Sequence, residues 1–181
     1  MSFDLEALLA RIDSPNSLPP VHQWHPTVER TMDIVIDAQG RWIHEGDVIE
    51  RPAICQLLSS ILVYEGGQYF LKSPVEKVAI QVVDVPFIAE LLIGDDSETP
   101  YFVTQTEDLI AFDTTLDAEL REYQGVSLPY IKVRNNLYAR LSRALFFAFA
   151  DNEAAHQFKD GVCYYQQKDG LLPLGALSGQ E

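Results

Sequence analysis

Four basic residues, Lys132, Arg134, Arg140 and Arg143, fall within twelve residues of a stretch, 123–150, that contains no acid. Elsewhere the chain is strongly acidic, with 27 Asp and Glu against 13 Lys and Arg and a formal charge of −14. A guanidinium is planar and always charged, so its fork matches phosphate and carboxylate oxygens. The cluster is therefore a candidate anion-binding wall, built from Arg134, Arg140 and Arg143, with Trp42 as a stacking surface for a ligand ring. The competing reading is that these arginines pair with the chain's own carboxylates and staple its two halves together, because a buried charge without a partner is costly.

Other reactive constellations are incomplete. His44-Glu45 begins a zinc-protease pattern, but Val48 stands where the second histidine belongs. His22 and His25 flank Trp24 without a third ligand. Cys55 and Cys163 are too far apart in the sequence for a metal motif and read as buried structural thiols. No phosphate-binding glycine loop, dinucleotide fingerprint or nucleophile elbow is present. These gaps favour a binding protein over an enzyme, with no metal and no cofactor. The acidic charge disfavours general nucleic-acid binding. No apolar run is long enough to cross a bilayer, and the acidic start lacks the basic region of a signal peptide, so the expected location is the cytoplasm.

Apolar periodicity gives the elements that must position these residues. A helix is expected over residues 2–12, a Pro- and Ser-rich linker over 14–20, and a hairpin over 32–44. A second helix starts at Pro52 and runs to the stop at Gly66-Gly67. Strands are expected at 68–72, 78–83 and 87–93, with Ser73-Pro74-Val75-Glu76 as one capped helical turn. Further strands follow at 101–106, 109–113 and 128–133. A long helix spans 136–150, with Asn135 as its cap and Arg134 just before it. Strands at 162–166 and 171–174 end the pattern. The strand, helix, glycine turn and aromatic strand around 51–71 match those around 128–165. The expected fold is α+β: two repeated strand–helix–strand units with mainly antiparallel sheets, residues 1–94 and 95–181, the first including the 2–12 helix and the 14–20 linker.

Three blocks carry a family resemblance. Gly40-Arg41-Trp42-Ile43-His44-Glu45-Gly46-Asp47-Val48-Ile49 with Arg51 is the first. The second is Gln68-Tyr69-Phe70-Leu71-Lys72-Ser73-Pro74-Val75-Glu76-Lys77-Val78 with Val82-Val83-Asp84-Val85-Pro86-Phe87. The segment 130–143 is the third. Together they resemble the bacterial domain of unknown function 1285 family, with Ser73 where that family is expected to have threonine. The resemblance implies a duplicated α+β fold whose C-terminal half is similar to a pleckstrin-homology barrel. It also implies a ligand site between the halves, for a nucleotide-like molecule, and a role in signalling. The functional expectation is a regulatory protein that binds a small anionic ligand between its halves. The alternative is an interaction module that docks a protein partner, including a second copy of itself.

Overall fold

The computed structural model describes residues 18–94 and 99–176. The helix expected at 2–12 and most of the acidic turn after Gly94 lie outside them. The chain divides into two compact units, Met1–Asp84 and Val85–Glu181.

The first unit contains β1 (Val28–Ile36), β2 (Trp42–His44), β3 (Asp47–Val48), α1 (Pro52–Ser60), β4 (Leu62–Glu65), β5 (Gln68–Lys72) and β6 (Glu76–Val82). They form one sheet in the order β3-β2-β1-β6-β5-β4, antiparallel except where β1 lies parallel to β6. Asp37 turns β1 into β2, its carboxylate accepting from the Gln39 and Arg41 amides at 2.9 Å. Proline at the first helical position opens α1 as expected.

Two expectations are corrected here. The helix stops at Ser60 rather than Gly66, because the β-branched and aromatic run into Tyr64 suits a strand, and β4 follows. Gly66 and Gly67 both have positive φ and close the two-residue hairpin between β4 and β5. Ser73 does use its hydroxyl as a cap, accepting from the amides of Val75 at 3.3 Å and Glu76 at 3.0 Å. It closes the β5–β6 turn, however, and no helical turn forms.

The second unit opens with β7 (Phe87–Ile93), β8 (Tyr101–Thr104) and β9 (Leu109–Ala111). It continues with β10 (Ala118–Tyr123), β11 (Val126–Arg134) and β12 (Leu137–Leu141), then α2 (Arg143–Asp151). A three-stranded antiparallel sheet follows, β13 (His156–Lys159), β14 (Val162–Gln167) and β15 (Gly170–Ala176). The main sheet has the order β10-β11-β12-β7-β8-β9, with β12 parallel to β7. Rings of Phe102, Phe112, Phe149 and Tyr165 pack in a chain through the core, with centroids 4.4–6.2 Å apart. Gly170 lies so close to Phe112 that a Cβ there would sit 2.8 Å from the Phe112 carbonyl oxygen.

The long helix expected at 136–150 is in fact a strand followed by a shorter helix. Asn135, at φ 48°, turns β11 into β12, and Ser142 caps α2 by accepting from the Leu145 amide. Leu137 and Leu141 fit a helical period, but Leu137, Ala139 and Leu141 also alternate, and all three are buried with a half-buried residue between each.

Both units repeat one plan. Each six-stranded sheet joins two three-stranded meanders through a single parallel pair, and the orders coincide when β1 to β6 are matched in sequence with β7 to β12. The duplication is therefore carried by the sheets. The two helices do not correspond: α1 precedes the second meander of its unit, whereas α2 follows it.

Candidate functional site

Strand geometry separates the arginines that a helix would have stacked. Arg134 ends β11 opposite Leu137, on the apolar face that also holds Ala139 and Phe87. Its guanidinium lies 4.9 Å from the Phe87 ring centroid and donates to Asp108. Both side chains of this pair are about 15% exposed. Asp108 is tied down further, accepting from Thr106 at 2.7 Å and Thr104 at 3.2 Å, while its amide donates to the Thr104 hydroxyl at 3.0 Å. Arg134 thus belongs to a closed, internally satisfied network.

Arg140 belongs to the other face. On β12 it alternates with Leu141 and Ala139 and stands opposite Tyr130 of β11, which stands opposite Glu119 of β10. Register places Glu119, Arg121 and Tyr123 of β10, Leu128, Tyr130 and Lys132 of β11, and Tyr138 and Arg140 of β12 on this one face. Long side chains cross it diagonally. Arg140 lies 4.7 Å from the Tyr123 ring, and Arg121 lies 3.8 Å from Tyr138 and 5.2 Å from Tyr130. Tyr130, beneath them, is 1% exposed.

Stacked in this way, a guanidinium offers its flat side to a ring and keeps its N–H edge for an anion. Resident carboxylates already use part of that capacity. Glu119 accepts from Arg121 Nε at 2.7 Å and Nη2 at 2.5 Å, and Asp117 accepts from Lys132 at 3.0 Å. The Asp117 hydrogen bond pushes the Lys132 ammonium above its ordinary range.

Arg143 opens α2, exposed, with its guanidinium 5.4 Å from the Phe147 ring. It has no acidic residue beside it in the first turn. Arg134 and Arg143 flank opposite ends of β12, a separation of about 15–20 Å at strand rise. The three arginines do not form one wall.

Trp42 sits in β2 of the first unit and is 2% exposed, so its ring is enclosed rather than presented for stacking. Its indole N–H has no partner among the described residues. Cys55 and Cys163 are half-buried rather than buried, and burial pushes both thiols up. Cys55 donates to the Ile49 carbonyl at 3.5 Å. His22 lies within a short 3₁₀ turn, Val21–Gln23, and His25, beyond it, bonds the Gln23 carbonyl.

Arg121, Tyr123, Tyr130 and Tyr138 are absent from the residues selected by sequence. The missed signal lies in β10, where Glu119, Arg121 and Tyr123 alternate with Leu120 and Glu122. Such a polar strand shows only in its period of two, not in its hydrophobicity.

Residues 19–85 match the domain of unknown function (DUF1285), N-terminal domain. The crystal structure of a DUF1285 family protein from Silicibacter pomeroyi DSS-3 is similar to the chain at 30% identity and a TM-score of 0.77, covering 94% of this chain and 95% of that one. A second DUF1285 family structure, from Shewanella baltica OS155, is 25% identical with a TM-score of 0.53, over 65% of this chain and 90% of that one. No curated protein matches the chain. The first of these likenesses runs through both units and almost the full length of each chain, and on it the chain belongs to the DUF1285 family.

Proposed function

We propose that this protein is a regulatory binding protein whose second unit takes a small anionic ligand on the tyrosine–arginine face of β10, β11 and β12. Arg140 and Arg121 supply the principal contacts, Lys132 adds charge, and Arg143 stands three residues beyond Arg140. One observation carries the reading. In a chain of charge −14, three cations and three tyrosines converge on one face of three adjacent strands. Solubility does not require such a concentration, and the acidic remainder of the surface makes it the place where an anion is favoured. Stacking on tyrosine fixes the guanidinium orientation in advance, which lowers the ordering cost of binding. Among the described residues no group of His, Cys, Asp and Glu is arranged to hold a metal, so the reading is built on side-chain charge alone.

Thermal shift with phosphate, pyrophosphate and a panel of phosphorylated metabolites tests it. A selective ligand raises the melting temperature of the wild type, and Arg140→Ala removes that rise. A flat response across the panel, or an equal response in wild type and Arg140→Ala, overturns it.

A protein-docking role is favoured by a different observation: α2 leaves Phe147 48% exposed, with Ala144 and Ala148 exposed beside it. Light scattering of wild type and Phe147→Asp separates that role, since a self-associating protein dissociates in the variant while anion response is kept.

A further inference from the structure

The acids of the tyrosine–arginine face are arranged as the ligand itself would be. Glu119 places one carboxylate oxygen against two nitrogens of Arg121, at 2.7 and 2.5 Å. Asp117 places one against Lys132 at 3.0 Å. Both acids come from β10 or the residue before it, at the edge of the sheet, whereas Lys132 lies on the inner strand β11. The acids are also the more exposed members: Glu119 is 51% and Asp117 59% exposed, against 35% for Arg121 and 36% for Lys132. An exposed carboxylate at a rim can swing into water and be solvated there, and in the Arg121 pair the base beneath it is held by ring contacts. Arg121 is fixed over Tyr138 and Tyr130. The equivalent meander of the first unit is built differently: Glu65 is shared by Lys72 and Lys77, and Lys72 is only 10% exposed, so an anion from solution would have to reach a buried ammonium to replace that acid.

We infer that Asp117 and Glu119 are displaceable stand-ins for the ligand, which hold Arg121 and Lys132 until an anion replaces them and so restrict the site to compounds with two or more closely spaced negative charges. This deepens the anion-binding reading and rests on it. An intramolecular carboxylate competes at an effective concentration in the millimolar range or above. A monoanion brings one charge against two resident ones and is outcompeted. A phosphoryl or pyrophosphoryl group brings several acceptor oxygens and more than one charge, and it can satisfy Arg121, Lys132 and Arg140 together.

Titration calorimetry at fixed ionic strength, with pyrophosphate and with acetate, tests the inference on wild type, Asp117→Asn, Glu119→Gln and the double variant. Glu122→Gln is the control, since Glu122 is on the same strand but alternates to the other face. Wild type binds pyrophosphate in preference to acetate. Each single variant gains about fivefold in pyrophosphate affinity, the worth of one partly exposed ion pair. Acetate gains by a larger factor, so discrimination narrows, and Glu122→Gln changes neither. The single variants and a thermal melt guard against misfolding of the double. Equal affinity in wild type and all acid variants overturns the inference while leaving the anion reading intact. An equal gain in Glu122→Gln also overturns it, because the effect is then only a change in overall charge. Absence of pyrophosphate binding in wild type and every variant overturns the anion reading, and this inference with it.

Discussion

The meanders β4–β6 and β10–β12 occupy the same place in the repeat, yet they treat charge in opposite ways. In the first unit Glu65 lies between Lys72 and Lys77, at 2.8 and 3.4 Å, and Lys77 also stacks 4.0 Å from the Phe70 ring. Below it Val63, Phe70 and Ala79 form a small apolar cluster with Val21 packed against it. The cations are half-buried or deeper and their acid is shared. In the second unit Arg121 and Arg140 lie on tyrosines, and among the described residues Arg121 and Lys132 pair with two different carboxylates that sit further out. Lysine is a compact point charge that one carboxylate can satisfy, whereas arginine's fork keeps unused edges after stacking. One copy of the repeat is closed into a structural staple, and under the proposed function the other presents a face to an anion.

The largest effect expected from this contrast comes from within the second unit, on its opposite face. Asp108→Ala removes the acceptor of Arg134 and of two threonine hydroxyls, all largely buried. Loss of this carboxylate beside a largely buried guanidinium should cost on the order of 3–5 kcal/mol, read as a drop in the urea midpoint. A loss below about 1 kcal/mol, the range of a surface pair, would show that Arg134 relaxes to solvent and that this face is as open as the other.

Next in size is Glu65→Ala, which strands Lys72. The expected loss is about 2–3 kcal/mol, less than for Asp108 because Glu65 itself is 40% exposed. The same substitution in the open meander, Glu119→Ala, should cost no more than about 1 kcal/mol, the usual range for an exposed pair. Equal losses at the two positions would erase the distinction between closed and open copies.

Acid denaturation sharpens the point. The hydrogen bond from Lys72 is the first cause that holds the Glu65 carboxyl below its ordinary value of 4.5. A depressed acid contributes stability that is present above the unfolded value and lost as pH falls through the lower folded one. Wild type should therefore lose stability below about pH 4.5, and Glu65→Gln should flatten that arm by up to about 1 kcal/mol, the value discounted for solvent screening. Identical acid arms in wild type and Glu65→Gln would place the depression elsewhere.

How far the sequence makes these features legible depends on what each residue pattern can encode. The α+β class, the hairpin around Gly40 and the start of α1 at Pro52 follow from turn chemistry and apolar spacing, whereas the repeat lies in sheet order rather than in the helices that suggested it. Positions 137–141 do not, since leucines four apart fit a helix face and a strand face alike; only the Asn135 turn and tertiary pairing with β7 decide. That single ambiguity misplaced the arginines, because a helix brings positions 136, 140 and 143 onto one side while a strand sends neighbours to opposite faces. Arg140 was identifiable as a candidate from local charge. Its partners on β10 and β11 were not, because register between strands is set by packing that no local window contains.

The smallest expected stability effect carries the most functional weight. Arg140 stands on the open face, stacked 4.7 Å from Tyr123 and directly opposite Tyr130. If it were a staple like Arg134, Arg140→Ala would leave a hole over Tyr130 and a partner without its charge, and the melting temperature would fall by several degrees. If it is held for a ligand, its removal should cost little, with the lost cation–π contact to Tyr123 accounting for about 0.5–1 kcal/mol at a partly exposed site. Loss of a cation from a locally basic face can offset part of even that. Affinity for pyrophosphate should fall much further, by about ten- to a hundredfold, because a charge-assisted hydrogen bond is worth about 1.5–3 kcal/mol. Arg140→Lys distinguishes charge from shape: it restores the field of the face but neither the stacking plane nor the fork, so stability returns while affinity recovers only in part. A variant that melts early and binds as wild type does would make Arg140 a second staple, and the two copies of the meander would then differ in composition but not in role.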